Sequence, residues 1–355
     1  MKRIFIILIL FVSVQYGQYY HNSNFDFSAI HEFWHIVDLL SANIEPSANE
    51  WNNLFDTPGY KVLTRQEFTK DFFKRNFRLA FKPSLKKELE ENLKKSDRQS
   101  YYLHYYLKVK NNRKQLEYQL NKLKRRSLNK EALDLTLRYL PVNNVSDFPP
   151  VAFVIFENNG RGSSPIVVDL QATLEWDFIS FLAHEFHHFY RNKLTKLNYG
   201  NISAADRPLV EAMIKIEAEG IADRVDKKKW FATSYREVSP YAVEFKREVK
   251  RTPQLLNKIN GLLKMYAGNS AGRKKIGNEI LSSIPQKGHP AGYFMATLIE
   301  EQLGRNELKK CVGNPFRFFI TYNNAANLAG NRYPKFSPKV LRLFADLENK
   351  YISNR

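Results

Sequence analysis

Apolar and polar positions along the chain fall into distinct textures. Residues 4–14 form an apolar run, interrupted only by Ser13, behind Lys2 and Arg3 and ahead of the small Gly17. That run is too short to span a bilayer comfortably and has the layout of a secretory signal peptide, with cleavage expected after Gly17. From about residue 25 to 148 the spacing is helical. Phe33, Trp34 and Val37 share one stripe, and EFTKDFFKRNFRLAF (67–81) and SLKKELEENLKK (84–95) are amphipathic. Long helices continue from Tyr101 to Leu140, where LPVNNVSDFPP (140–150) breaks them with prolines. Two β-branched, aromatic stretches follow, VAFVIFE (151–157) and PIVVDL (165–170), around the Gly-rich NNGRGSS (158–164). They predict a β-hairpin. In LEWDFISFLAHEFHHFYRNKL (174–194), apolar residues at 178, 179, 182, 186, 189 and 190 trace a helix face. RPLVEAMIKIEAEGIADRVDKKKW (207–230) is a further helix, with Pro208 near its start, and the remainder is helical around KGHPAGYFMATLIEEQLG (287–304).

These elements predict a predominantly helical α+β fold with a small β-hairpin before a central helix. The expected organisation is a signal peptide (1–17), a helical N-terminal portion (18–150) and a second portion (151–355), packed as one compact unit. The length and a hydrophobic share of 43% supply ample core. Cys311 is the sole cysteine, which excludes an intramolecular disulfide framework.

The net charge of +19 becomes +17 (19 − 2) once Lys2 and Arg3 are removed with the signal. Such an excess favours contact with anionic surfaces or acidic substrates. The basic residues are diffuse, and no recognition motif indicates specific nucleic-acid binding. No other long apolar stretch predicts a transmembrane segment, so a soluble secreted or periplasmic protein is expected.

The candidate chemistry lies in HEFHH (184–188). His184 and His188, four apart on a helix, project from one face and can place two imidazole nitrogens on one ion. Glu185 lies about 100° around and can reach a water on that ion without ligating it. A catalytic zinc site wants a third protein ligand. EGIAD (219–223) offers Glu219 for the metal and Asp223, one turn on, for the free N–H of a ligating histidine. Glu217 is the rival third ligand, but it lies about 200° around from Glu219, so both cannot face the metal.

A near-duplicate complicates the choice. HEFWH (31–35) is followed by EFTKD (67–71), so His31, His35, Glu67 and Asp71 repeat the pattern, and the separations barely differ (67 − 35 = 32 against 219 − 188 = 31). Context favours HEFHH, which follows the hairpin and whose partner helix carries small or apolar Gly220, Ile221 and Ala222. Phe68 and Lys70 flank Glu67 instead, and the HEFWH stripe looks like core packing.

The pairing of HEFHH with EGIAD resembles the glutamate zincins, the thermolysin-like clan of metallopeptidases. Glu219 matches their glutamate ligand and Asp223 the supporting acid, with alanine in place of the usual small serine. FLAHEFHHFYR, EGIAD and GHPAGYFMA also resemble a bacterial family of uncharacterised secreted proteins described as zinc-dependent peptidases. The resemblance implies a zincin-like fold and a Zn2+ ion held by His184, His188 and Glu219. It further implies hydrolysis of peptide or protein substrates by a zinc-activated water with Glu185 as general base. His289 and Tyr293, four apart near a helix start, are candidate donors to the oxyanion. Two other readings share the motif: a zincin-fold envelope protein that binds zinc without turnover, and a zinc amidase acting on non-protein amides.

Overall fold

The computed structural model describes residues 24–352 other than 144, 146, 163, 176 and 233–238. The expected signal peptide lies outside the described residues. The fold is predominantly helical, with one four-stranded sheet in the order β1 (Phe25–Asp26), β2 (Val151–Val154), β4 (Ile166–Asp169), β3 (Gly160–Arg161).

The strand pairing corrects the expected hairpin. β2 and β4 are parallel neighbours, Val151 opposite Ile166 and Val154 opposite Asp169, and β1 also runs parallel to β2. The hairpin is formed by β3 and β4, antiparallel with Gly160 opposite Val168. The cause is visible in the burial. Every residue of β2 and β4 is buried, and strands covered on both faces read as continuous apolar runs, the habit of parallel pairs. Between them the chain turns around Asp169. Its Oδ2 accepts the N–H groups of Phe156 (2.7 Å), Glu157 (2.9 Å) and Asn158 (3.1 Å) and the hydroxyl of Tyr105 (2.6 Å). This buried carboxylate satisfies three backbone donors leaving β2 and sends the chain back as the edge strand β3.

The helix Pro58–Gln66 packs against β2, where Tyr60 donates to the Ile155 carbonyl at 2.7 Å. The helix Ser28–Ser41 buries Phe33 and Trp34, and Phe33 meets Phe77 and Phe81 of the helix Lys70–Phe81 edge to face. The HEFHH helix (Phe178–Leu194) starts at Asp177, whose Oδ1 accepts the Ser180 N–H as an N-cap. The EGIAD helix (Arg207–Asp226) packs against it and against the GHPAG helix (His289–Leu303). The last two helices cross at two glycines. A Cβ on Gly220 would lie 2.3 Å from the Gly292 carbonyl carbon, and one on Gly292 would lie 2.1 Å from the Ile216 oxygen. Only hydrogen fits at either place, so this crossing brings backbone against backbone. Among the described residues, no helix is long and apolar enough to cross a membrane.

Candidate metal centre

His184 and His188 point from the same face of the HEFHH helix, their Nε2 atoms 3.0 Å apart. From the neighbouring helix, Glu219 brings its Oε2 to 3.1 Å from His188 Nε2 and 3.5 Å from His184 Nε2. Zinc bound tetrahedrally at about 2.0–2.1 Å requires adjacent donors about 3.3 Å apart. The three measured edges bracket that value, so the donor set fits zinc in chemistry and in spacing.

His289 enters from the GHPAG helix. Its Nε2 is 3.3 Å from Glu219 Oε2, and its Nδ1 meets both Asp223 oxygens at 3.0 and 3.1 Å. Among the described residues, His184, Glu219, Asp223 and His289 form a group whose donor atoms lie within 4.8 Å of one another. Two further side chains, not anticipated from the sequence, complete the cluster. Asp226 Oδ1 is 3.1 Å from His184 Nδ1. The buried Lys227 ammonium donates to Asp223 Oδ1 at 2.5 Å and to Asp226 Oδ2 at 3.0 Å. Asp226 was legible in principle: Glu219, Asp223 and Asp226 are spaced i, i+4 and i+7, on one helix face.

The electrostatics follow from this crowding. Burial opposes charge on His184, yet the adjacent Asp226 carboxylate holds its pKa well above the ordinary value. Burial would raise Glu219, but His188 and His289 hold it well below the usual carboxylate range. Burial likewise opposes ionisation of Asp226, and Lys227 and His184 bring its pKa down to about 2. The cluster is thus arranged around ionised carboxylates.

Glu185 is buried, and its Oε2 has no hydrogen-bond partner. It lines a cavity of about 370 Å³ together with Gly162, Ser164, Phe189, Asn192 and Lys193. An orphaned buried carboxylate oxygen facing a cavity is what a proton acceptor awaiting a water or substrate looks like.

Other candidates take different places. Glu217 is fully buried, ion-paired with Arg191 and accepting the Gly313 N–H at 2.9 Å, so it is committed away from the metal donors. Its partner Arg191 is likewise part of the core. His187 is also buried, its Nε2 3.4 Å from the Tyr139 carbonyl, and burial pushes its pKa well below the ordinary value. The Tyr293 ring stacks on Phe231 and meets Phe245 edge to face, with the Arg224 guanidinium over it. These contacts are packing contacts, and none involves a metal donor.

In the HEFWH copy, His31 and His35 are exposed. His35 Nε2 is 3.1 Å from Glu50, and His31 Nε2 is 3.4 Å from the Lys124 ammonium. Glu67 caps the end of the helix Pro58–Gln66 and receives two Arg161 nitrogens at 2.7 and 2.9 Å, whereas Asp71 lies in the next helix. Glu67 and Asp71 thus share no helix face. The apparent second motif is dispersed.

Neither a curated protein nor a solved structure matches the chain. A family profile does match, over residues 51–331, a span that takes in HEFHH, EGIAD and GHPAGYFMA and leaves HEFWH outside. The match covers well over half of the sequence, and the chain belongs to this family, DUF5700, described as "Putative zinc dependent peptidase".

Proposed function

We propose that the protein is a secreted zinc metallopeptidase in which His184, His188 and Glu219 hold the metal and Glu185 is the general base. The observation that carries this reading is the convergence of the three donor atoms at 3.0–3.5 Å, together with the buried, unpartnered oxygen of Glu185, which follows His184 on the same helix. Zinc held there supplies a Lewis acid that polarises the scissile carbonyl and acidifies the attacking water. Glu185 takes the proton of that water on Oε2 and passes it to the leaving amine. His289, oriented through Nδ1 by Asp223, offers Nε2–H to the developing oxyanion in its imidazolium form, with a proton on each ring nitrogen.

The substrate backbone has a natural seat. β3 is one of the two edge strands of the sheet, and Gly162, next along the chain, comes against Glu185. An extended peptide adding to this edge would run past the base. β4 is not available for that task, because it lies between β2 and β3. Secretion rests on the residues 1–17 pattern, and the basic surface suits an anionic envelope or acidic substrates.

The test is Glu185→Gln. It should keep one zinc per chain and lose hydrolysis of a broad peptide library; turnover persisting in the variant refutes the assignment. A fully zinc-loaded wild-type protein inactive on the whole library favours the non-catalytic reading.

A further inference from the structure

The EGIAD motif gives Asp223 the task of supporting a ligating histidine, but the structure divides that task. Asp223 already receives His289 Nδ1 at 3.0 Å and Lys227 Nζ at 2.5 Å. Its nearer oxygen is 3.6 Å from His184 Nδ1, beyond a good hydrogen bond. His184 Nδ1 instead meets Asp226 Oδ1 at 3.1 Å.

A histidine that ligates through Nε2 must carry its proton on Nδ1, and the acceptor of that proton sets both the tautomer and the angle of the ring. We propose that Asp226, three residues beyond the motif, is the positioning residue for His184, while Asp223 serves His289. This inference rests on the zinc reading above. Asp226 is well fixed for the role. One oxygen faces His184 and the other is held at 3.0 Å by Lys227, itself only 5% exposed. The Lys227 ammonium also lies over the rings of Trp230 and Phe245, 5.6 and 5.9 Å from their centres. With its cation anchored on two carboxylates, Lys227 also offsets part of the negative charge that Glu219, Asp223 and Asp226 gather on one helix face. Two histidines from different helices are thereby held by two acids a turn apart, under one buried cation.

The experiment compares zinc-loaded wild type, Asp226→Asn and Asp223→Asn. Zinc affinity is read by chelator competition, and the histidine ring nitrogens and N–H protons by NMR. Asp226→Asn should weaken zinc about 10–100-fold and shift the Nδ1–H resonance of His184. Asp223→Asn should shift His289 and leave the His184 proton in place. The inference is overturned if Asp226→Asn binds zinc within twofold of wild type, or if Asp223→Asn is the variant that moves the His184 proton. Should Asp226→Asn not fold, wild type alone decides: zinc on Nδ1 of His184 rather than Nε2 overturns the assignment, whereas Nε2 ligation with a strongly hydrogen-bonded Nδ1–H supports it. A wild-type chain that takes up no zinc defeats the underlying zinc reading instead, and the proposal with it.

Discussion

Gly162 approaches Glu185 so closely that a Cβ atom placed on it would stand 2.6 Å from Glu185 Oε2. The glycine makes room for the carboxylate that the proposed reaction uses as its base. A methyl group there must displace Glu185 or push back the end of β3, and an ångström of misplacement at a reacting group costs about 100-fold in rate. Gly162→Ala should therefore lower kcat by roughly that factor while zinc content and thermal stability stay near wild type. Peptide turnover measured beside metal analysis checks it; full activity would place the base elsewhere.

How much of this could be read in the letters depends on the range over which each contact is encoded. His184 and His188 were legible because helical spacing alone puts them on one face, and Glu219 because its helix has small residues where a neighbour must approach. The order of the strands was not. VAFVIFE and PIVVDL look like two arms of a hairpin, and only the turn around Asp169, with Tyr105 brought in from a distant helix, makes them parallel. Arg191 followed the same logic. An arginine one turn past His188 reads as surface until Glu217, on another helix, is known to bury beside it. HEFWH failed in the opposite direction: its local spelling is right, but the helix break before Lys70 separates Glu67 from Asp71.

The Arg191–Glu217 pair gives a stability prediction. Both side chains are almost wholly buried, Arg191 Nε donates to Glu217 Oε2 at 3.0 Å, and Glu217 Oε1 accepts from Gly313. Removing one partner leaves an uncompensated charge in the core, at a cost of about 3–5 kcal/mol. Glu217→Gln should show that loss in denaturant unfolding, whereas the folded fraction should still bind one zinc. Loss of zinc from a stably folded variant would make Glu217 a ligand after all.

Asp206 predicts an acid limb of stability remote from the metal donors. Burial would raise its pKa, but hydroxyls of Tyr266 (2.5 Å) and Tyr351 (2.6 Å) and the Lys350 ammonium (3.0 Å) outweigh it and bring the value down to about 2. A carboxyl depressed in the folded state is protonated first in the unfolded one. Its contribution is thus fully present above pH of about 4 and lost as pH falls toward about 2. After solvent screening the increment is about 1–2 kcal/mol. In the metal-free protein, Asp206→Asn should be less stable than wild type by that amount at neutral pH, and the difference should close between about pH 4 and 2. An unchanged difference across that window would show that Asp206 does not titrate as its contacts require.

The two histidine pairs remain to be separated by experiment. Among the described residues His35 meets Glu50 and His31 meets Lys124, both at the exposed surface, so these contacts contribute little to stability. The stripe that holds their helix in the core, Phe33, Trp34 and Val37, is untouched by changing them. His31→Ala/His35→Ala should therefore melt close to wild type and retain its zinc. His184→Ala/His188→Ala removes two of three converging donors while leaving Asp226 and Glu219 ionised with fewer cationic partners. That variant should lose the metal, and its metal-free form should be less stable than the metal-free wild type. Zinc analysis of both variants, prepared in parallel, distinguishes the pairs. Metal lost only from the N-terminal variant would transfer the site to the copy that the fold disperses.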